Sequence, residues 1–102
     1  MDSSVIIRYF GAAWCGPCKK YKPVLKKLEK AGYPISFHDV DQDPVLAESH
    51  RIQSVPQIKI EVDGKVEETM IGIQPVEVLL GKIHIYTGTP DSENETPGES
   101  LG

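Results

Sequence analysis

Hydrophobic residues change period several times along this chain, and each change marks an element. Val5-Ile6-Ile7-Arg8-Tyr9-Phe10 is a β-branched and aromatic run halted by Gly11, the pattern of a central strand. From Pro17 to Lys30, Tyr21, Val24, Leu25 and Leu28 recur at helical spacing with lysines between them, and Ala31-Gly32 closes the helix. Ile35 to Val40 reads as a second strand. A strand, a helix and a strand in that order make a βαβ unit, which implies parallel pairing through a right-handed crossover. Asp43-Pro44 then supplies an N-cap and a first-turn proline for a short helix reaching about Arg51.

After Val55-Pro56 the period drops to two. Ile58, Ile60 and Val62 alternate with Lys59 and Glu61, Asp63-Gly64 offers a turn, and Val66 to Ile71 returns as the second arm of a hairpin. Val76, Leu79, Leu80 and Ile83 mark a last amphipathic helix opening near Pro75, in which Gly81 costs roughly 1 kcal/mol relative to alanine. The expected order is β-α-β-α-β-β-α, an α/β arrangement with no internal repeat and no second domain.

A length of 102 residues suits one domain with a modest core. The net charge of -4 makes a nucleic-acid partner a poor fit, because such proteins present a basic face. No apolar run approaches the roughly 18 residues of a membrane span, so no membrane association is expected. Met1-Asp2-Ser3-Ser4 lacks the basic and apolar regions of a signal peptide, and a cytoplasmic location follows as the expectation. The charge is also unevenly placed. Residues 88–102 hold Asp91, Glu93, Glu95 and Glu99 with no base, and Leu101 is their one large apolar side chain. Such a segment buries too little to offset its ordering entropy. It reads as a disordered acidic tail behind a formally neutral domain of residues 1–87, and its Asn94-Glu95-Thr96 sequon as a chance match.

Two cysteines carry the candidate chemistry. They cannot staple a secreted mini-protein, nor alone complete a four-ligand zinc site, so no metal is expected; half a metal site completed by a partner chain and a passive disulfide are the alternatives to redox chemistry. Cys15-Gly16-Pro17-Cys18 lies between a predicted strand and helix. Cys15 would stand at the helix N-terminus, where free N–H groups and the macrodipole favour a thiolate. Thiols so placed fall from about 8.5 into the range of roughly 3.5–7.5. Cys18, a turn further in and less exposed, is close enough for a disulfide. Cys15 is therefore the attacking thiol and Cys18 the resolving one. His38, His50 and His84 show no ligand spacing to either cysteine. His50 is expected on the surface, compensating a helix end, and the other two at ordinary, partly exposed positions.

Trp14-Cys15-Gly16-Pro17-Cys18-Lys19 resembles the active-site sequence of thioredoxins. Phe10, the helix-kinking Pro23, the run Val40-Asp41-Gln42-Asp43-Pro44, Val55-Pro56 before the hairpin and Gly72 after it match at the family's spacing, and the resemblance covers residues 4 to about 86. It implies a thioredoxin-like fold and a protein-disulfide reductase without a bound cofactor. Its redox-active disulfide would take electrons from an NADPH-dependent flavoprotein reductase, a thioredoxin reductase-like donor. Disulfide-containing proteins would be its substrates, and it would act as a monomer. The matching proline in the family is cis and faces the cysteines, so by resemblance Trp14, Gly16, Pro17, Val55, Pro56, Ile71, Gly72 and Ile73 border a substrate groove. Strand-end packing is an equal alternative for Ile71 and Ile73.

Three departures from the family pattern stand out. The strand and helix that usually precede the first predicted strand are missing, which leaves a four-stranded mixed sheet of glutaredoxin size with residues 35–40 at its edge. His38, Asp39 and Asp41 would discourage edge-to-edge pairing there. Tyr9 replaces the family's buried aspartate, and Phe37 its lysine neighbour. Losing both charges together is coherent, since either alone would be an unpaired buried ion. Activation of Cys18 is then expected to rely on solvent or the departing thiolate, with slower release. Finally, Lys19, Lys20, Lys22, Lys26, Lys27 and Lys30 load one helix with positive charge, a solvated face or a surface that steers acidic partners. Competing functions are a glutathione-dependent, glutaredoxin-like reductase and a non-catalytic binding module. Ile71-Gly72-Ile73-Gln74 lacks the paired glycines and aspartate typical of glutathione sites.

Overall fold

The computed structural model describes residues 4–87, so the segment 88–102, expected as a tail, lies outside the described residues. The predicted elements are all present and in order. They are β1 (Val5–Gly11), α1 (Gly16–Lys30), β2 (Ile35–Asp39), α2 (Pro44–Ser49), β3 (Gln57–Val62), β4 (Lys65–Ile71) and α3 (Val76–Thr87). The four strands form one mixed sheet in the order β2-β1-β3-β4. β1 pairs parallel with β2 and antiparallel with β3, which pairs antiparallel with β4. β2 is an edge strand, as expected.

Local chemistry sets the boundaries. α2 ends at Ser49 rather than near Arg51, because Arg51 adopts a φ of 55° and the chain leaves the helical region. Its N-cap Asp43 accepts the Leu46 N–H. The hairpin turn has Asp63 at φ 54° and Gly64 at φ 85°, the paired positive angles that a two-residue loop between twisted strands requires.

Strand alternation divides the sheet into two different faces. Ile7 and Tyr9 of β1, Ile35 and Phe37 of β2, and Ile58 and Ile60 of β3 meet Cys18, Tyr21 and Leu25 of α1 and Leu79 and Ile83 of α3 in the main core. On the other face Phe10 is fully buried, with the His38 ring stacked 5.1 Å away and the His50 ring at 5.3 Å. Beside it the Arg8 Nε–H donates to Glu61 Oε2 at 2.6 Å, and an Arg8 Nη1–H to His38 Nε2 at 3.1 Å.

His50 corrects an expectation. It does cap the end of α2, yet its side chain is only 15% exposed and lies 3.6 Å from Glu61. Burial lowers its pKa more than Glu61 raises it, so the ring favours its neutral form. Among the described residues no helix is long and apolar enough to cross a membrane, and no cluster of three or more His, Cys, Asp or Glu could hold a metal.

Candidate active site

The site begins where β1 ends. The chain turns at Ala12, whose carbonyl accepts the Cys15 N–H, and α1 starts at Gly16 with Cys15 as its N-cap. Cys15 is extended at φ -89°, ψ 113°, and its Sγ accepts the Cys18 N–H at 3.1 Å. The sulfur thus occupies the place that a Ser or Asp oxygen takes at an ordinary helix start. Pro17 sits in the first turn, where no N–H is needed, and no acidic residue lies there to oppose a negative sulfur. This geometry favours a thiolate on Cys15 once the pair is reduced.

Cys15 and Cys18 form a disulfide, with their Cα atoms 5.2 Å apart. The expected difference in exposure between them is slight, 5% against 3%, because the loop before β3 covers Cys15. The Val55 carbonyl oxygen lies 3.8 Å from Cys15 Sγ, and the Val55–Pro56 peptide bond is cis. The Pro56 carbonyl accepts the Gly72 N–H at 2.8 Å, where a φ of 87° lets the chain leave β4. Cys15, Val55, Pro56 and Gly72 are thereby linked in one row. Gly16 and Pro17 are exposed on the helix side of that row. Trp14 is 68% exposed, Ile71 64% and Ile73 49%, so all three present apolar surface to solvent around it. The high exposure of Ile71 and Ile73 disfavours packing as their role.

Behind the cysteines lies a second space. A cleft of about 400 Å³ runs between α1 and the C-terminal ends of β1 and β2, with Tyr9, Ala12, Cys18, Phe37 and Asp39 on its walls. Tyr9 and Phe37, read above as replacing an aspartate and a lysine, pack edge to face at 5.6 Å. The Tyr9 hydroxyl donates to the Cys18 carbonyl at 3.5 Å. Burial, then Tyr21, then Asp39 raise its pKa, so it stays protonated. On the far side the Lys26 ammonium lies 4.2 Å above the Phe37 ring centroid.

Two residues that the sequence offered only as charges on or beside an edge strand belong to the site. Asp41 accepts the Trp14 indole N–H at 2.7 Å, tying the exposed tryptophan to the loop after β2. Asp39 lines the cleft behind Cys18 while its Oδ1 accepts the N–H groups of Asp41 and Gln42. Their shared signal was the acidic run Asp39-Val40-Asp41-Gln42-Asp43 at the end of a predicted strand that points back at the motif loop.

Comparison with known proteins agrees with this geometry. The Thioredoxin family model matches residues 1–84. A thioredoxin of Listeria monocytogenes is 38% identical over 88 residues, covering 83% of this chain and 85% of the relative. One of Bacillus subtilis is 37% identical over 81 residues, covering 76% and 78%. Among solved structures, a point mutant of the thioredoxin from Halobacterium salinarum superposes with a TM-score of 0.76 at 30% identity, over 91% of this chain and 78% of that one. The chain belongs to the thioredoxin family, and its Cys15–Cys18 pair makes it a thiol-disulfide oxidoreductase.

Proposed function

We propose that the chain reduces disulfides of extended protein segments, with Cys15 as nucleophile and Cys18 as resolving thiol. The observation that carries this assignment is the N-cap position of Cys15, whose sulfur receives the Cys18 N–H. The Cys15 thiolate attacks one sulfur of the substrate disulfide, and the other leaves as a thiolate that takes a proton from solvent. Cys18 then loses its proton and attacks Cys15 Sγ. The bond between Cys15 and substrate breaks, the second substrate thiolate departs, and the Cys15–Cys18 disulfide holds the two oxidising equivalents.

Trp14, Gly16, Pro17, Val55, Pro56, Ile71, Gly72 and Ile73 form the substrate groove in this reading. Exposed apolar side chains flank a row of backbone, which suits many extended peptides rather than one ligand. One chain carries both thiols, so a monomer suffices. The disulfide is returned to the dithiol by two electrons from a thioredoxin reductase-like flavoprotein that draws on NADPH.

Insulin reduction tests the assignment, run in parallel with a thioredoxin reductase plus NADPH and with glutathione. Turnover with the reductase is expected. Turnover with glutathione alone would move the chain to a glutaredoxin-like role. A Cys15→Ser, Cys18→Ser chain that kept its biological function would make the fold, rather than the thiols, the working part.

A further inference from the structure

Resolution of the mixed disulfide needs a Cys18 thiolate, because the thiol is a poor nucleophile. Cys18 is 3% exposed, and although it lies in the first turn of α1 its sulfur does not hold the N-cap place that favours ionisation of Cys15. The cleft behind it is where its proton can leave: its walls are mostly apolar, yet Lys19, Lys22, Asp39 and Gln42 also line it, and about 400 Å³ has room for several waters.

Few groups facing that cleft can take a proton. Tyr9, from β1, is held protonated by burial. Lys19 and Lys22, from α1, line the same space and favour negative charge within it. His38, from β2, also lines the cleft, but its ring is engaged at the opposite face, where it stacks on Phe10 and its Nε2 accepts from Arg8. In the loop that follows, Asp41 is engaged with Trp14, and Asp43 caps α2. Asp39 remains. It pairs with Gly11 in the β1–β2 register, on the same face as Tyr9 and Phe37. Two backbone N–H groups hold its Oδ1, while its Oδ2 has no hydrogen bond among the described residues.

We propose that Asp39 accepts the proton of Cys18, through water in the cleft, as Cys18 attacks Cys15 Sγ. The inference rests on Cys18 being the resolving thiol. The new Cys15–Cys18 bond forms as the bond from Cys15 to the substrate sulfur breaks. The proton passes from Cys18 to the Asp39 carboxylate and on to solvent, and the electron pair of the broken bond leaves with the substrate thiolate. Asp39 thereby takes up a task for which solvent alone would otherwise be required.

The test mixes the reduced chain with excess 5,5′-dithiobis(2-nitrobenzoate) and follows release of the coloured thiolate. A phase that scales with reagent reports attack by Cys15, and a phase independent of reagent reports resolution by Cys18. Asp39→Asn keeps the oxygen that Asp41 and Gln42 need, so the loop is preserved. Near neutral pH it is expected to slow resolution by about ten-fold or more and to leave the first phase unchanged. As pH rises the gap between variant and parent should narrow, because hydroxide then removes the Cys18 proton without help. Asp39→Glu should recover part of the loss. Unchanged resolution, equal slowing of both phases, or a deficit that does not narrow as pH rises would each overturn the proposal. Loss of the reagent-independent phase in Cys18→Ser checks the resolving role separately.

Discussion

The Tyr9 hydroxyl lies over Gly11, in the space where a β-carbon would project. A Cβ built on Gly11 meets the Tyr9 ring with its Cζ at 2.8 Å and its hydroxyl closer still. That hydroxyl also bonds the Cys18 carbonyl, so the contact positions the wall between the core and the cleft. Gly11→Ala should push the ring aside and destabilise the fold by roughly 1–3 kcal/mol, as overpacking does. Urea denaturation of the oxidised chain measures it. A variant as stable as the parent would mean that the ring has room to yield.

Cys15 has two separable tasks, capping α1 and attacking disulfides. Serine is a good N-cap and a poor nucleophile toward disulfides. In a Cys18→Ser background, Cys15→Ser should abolish disulfide attack and keep the stability of the reduced chain. Cys15→Ala should abolish attack and also cost about 1 kcal/mol. If serine and alanine proved equally stable, the backbone N–H at position 18 would gain nothing from its partner.

Much of this site could be read from order and spacing along the chain. A strand, CxxC and a helix with proline in its first turn place the cysteines, because capping is a local property of a few residues. The hairpin was equally plain, since Asp63-Gly64 sits between two alternating runs. Asp39 was visible only as a charge on an edge strand. Its place behind Cys18 depends on the β1–β2 register, which sets Asp39 opposite Gly11 and no local pattern encodes. The misread position of His50 has the same origin. Its neighbours Phe10 and Glu61 come from β1 and β3, forty and eleven residues away, and they bury a ring that looked like a surface helix end.

Arg8 and Glu61 join β1 to β3 across the polar face of the sheet, with Glu61 9% and Arg8 22% exposed at the side chain. Removing one partner strands a nearly buried charge, whereas removing both does not. Arg8→Met should destabilise by roughly 2 kcal/mol, and Arg8→Met with Glu61→Gln should recover most of that loss. A double-mutant cycle by thermal or urea unfolding reads the coupling. Strictly additive losses would show that solvent already screens the pair.

The lysines of α1 offer a kinetic test. Lys19, Lys22, Lys26, Lys27 and Lys30 line one shallow groove with Pro23, and Lys26 forms an ion pair with Glu29 at 3.7 Å. A basic surface that starts beside Cys18 should accelerate encounter with acidic partners. Raising salt from about 0.01 M to about 1 M, which shortens the screening length from roughly 30 Å to roughly 3 Å, should slow the association rate with an acidic substrate. Lys22→Glu with Lys26→Glu should remove most of that dependence. An association rate indifferent to salt would leave the lysines as a solvated face alone.

His38 and His50 make the polar face sensitive to acid. Burial, and then Arg8, lower the His38 pKa; burial lowers that of His50, with Arg8 and Lys59 adding to it against the pull of Glu61. Asp43 and Glu61 oppose the shift at His38 without reversing it. The folded rings therefore bind protons less readily than the same rings in the unfolded chain, which titrate near about 6.5. The sign follows from linkage: stability is fully present above that value and declines as pH falls through the window between the unfolded and folded pKa values. Carboxylate titration begins lower, near about pH 4. Unfolding free energies measured from about pH 7 down to about pH 5 should fall in the parent chain. In a His38→Gln, His50→Gln chain they should stay nearly level. An equal slope in both would place the acid sensitivity elsewhere than around Phe10.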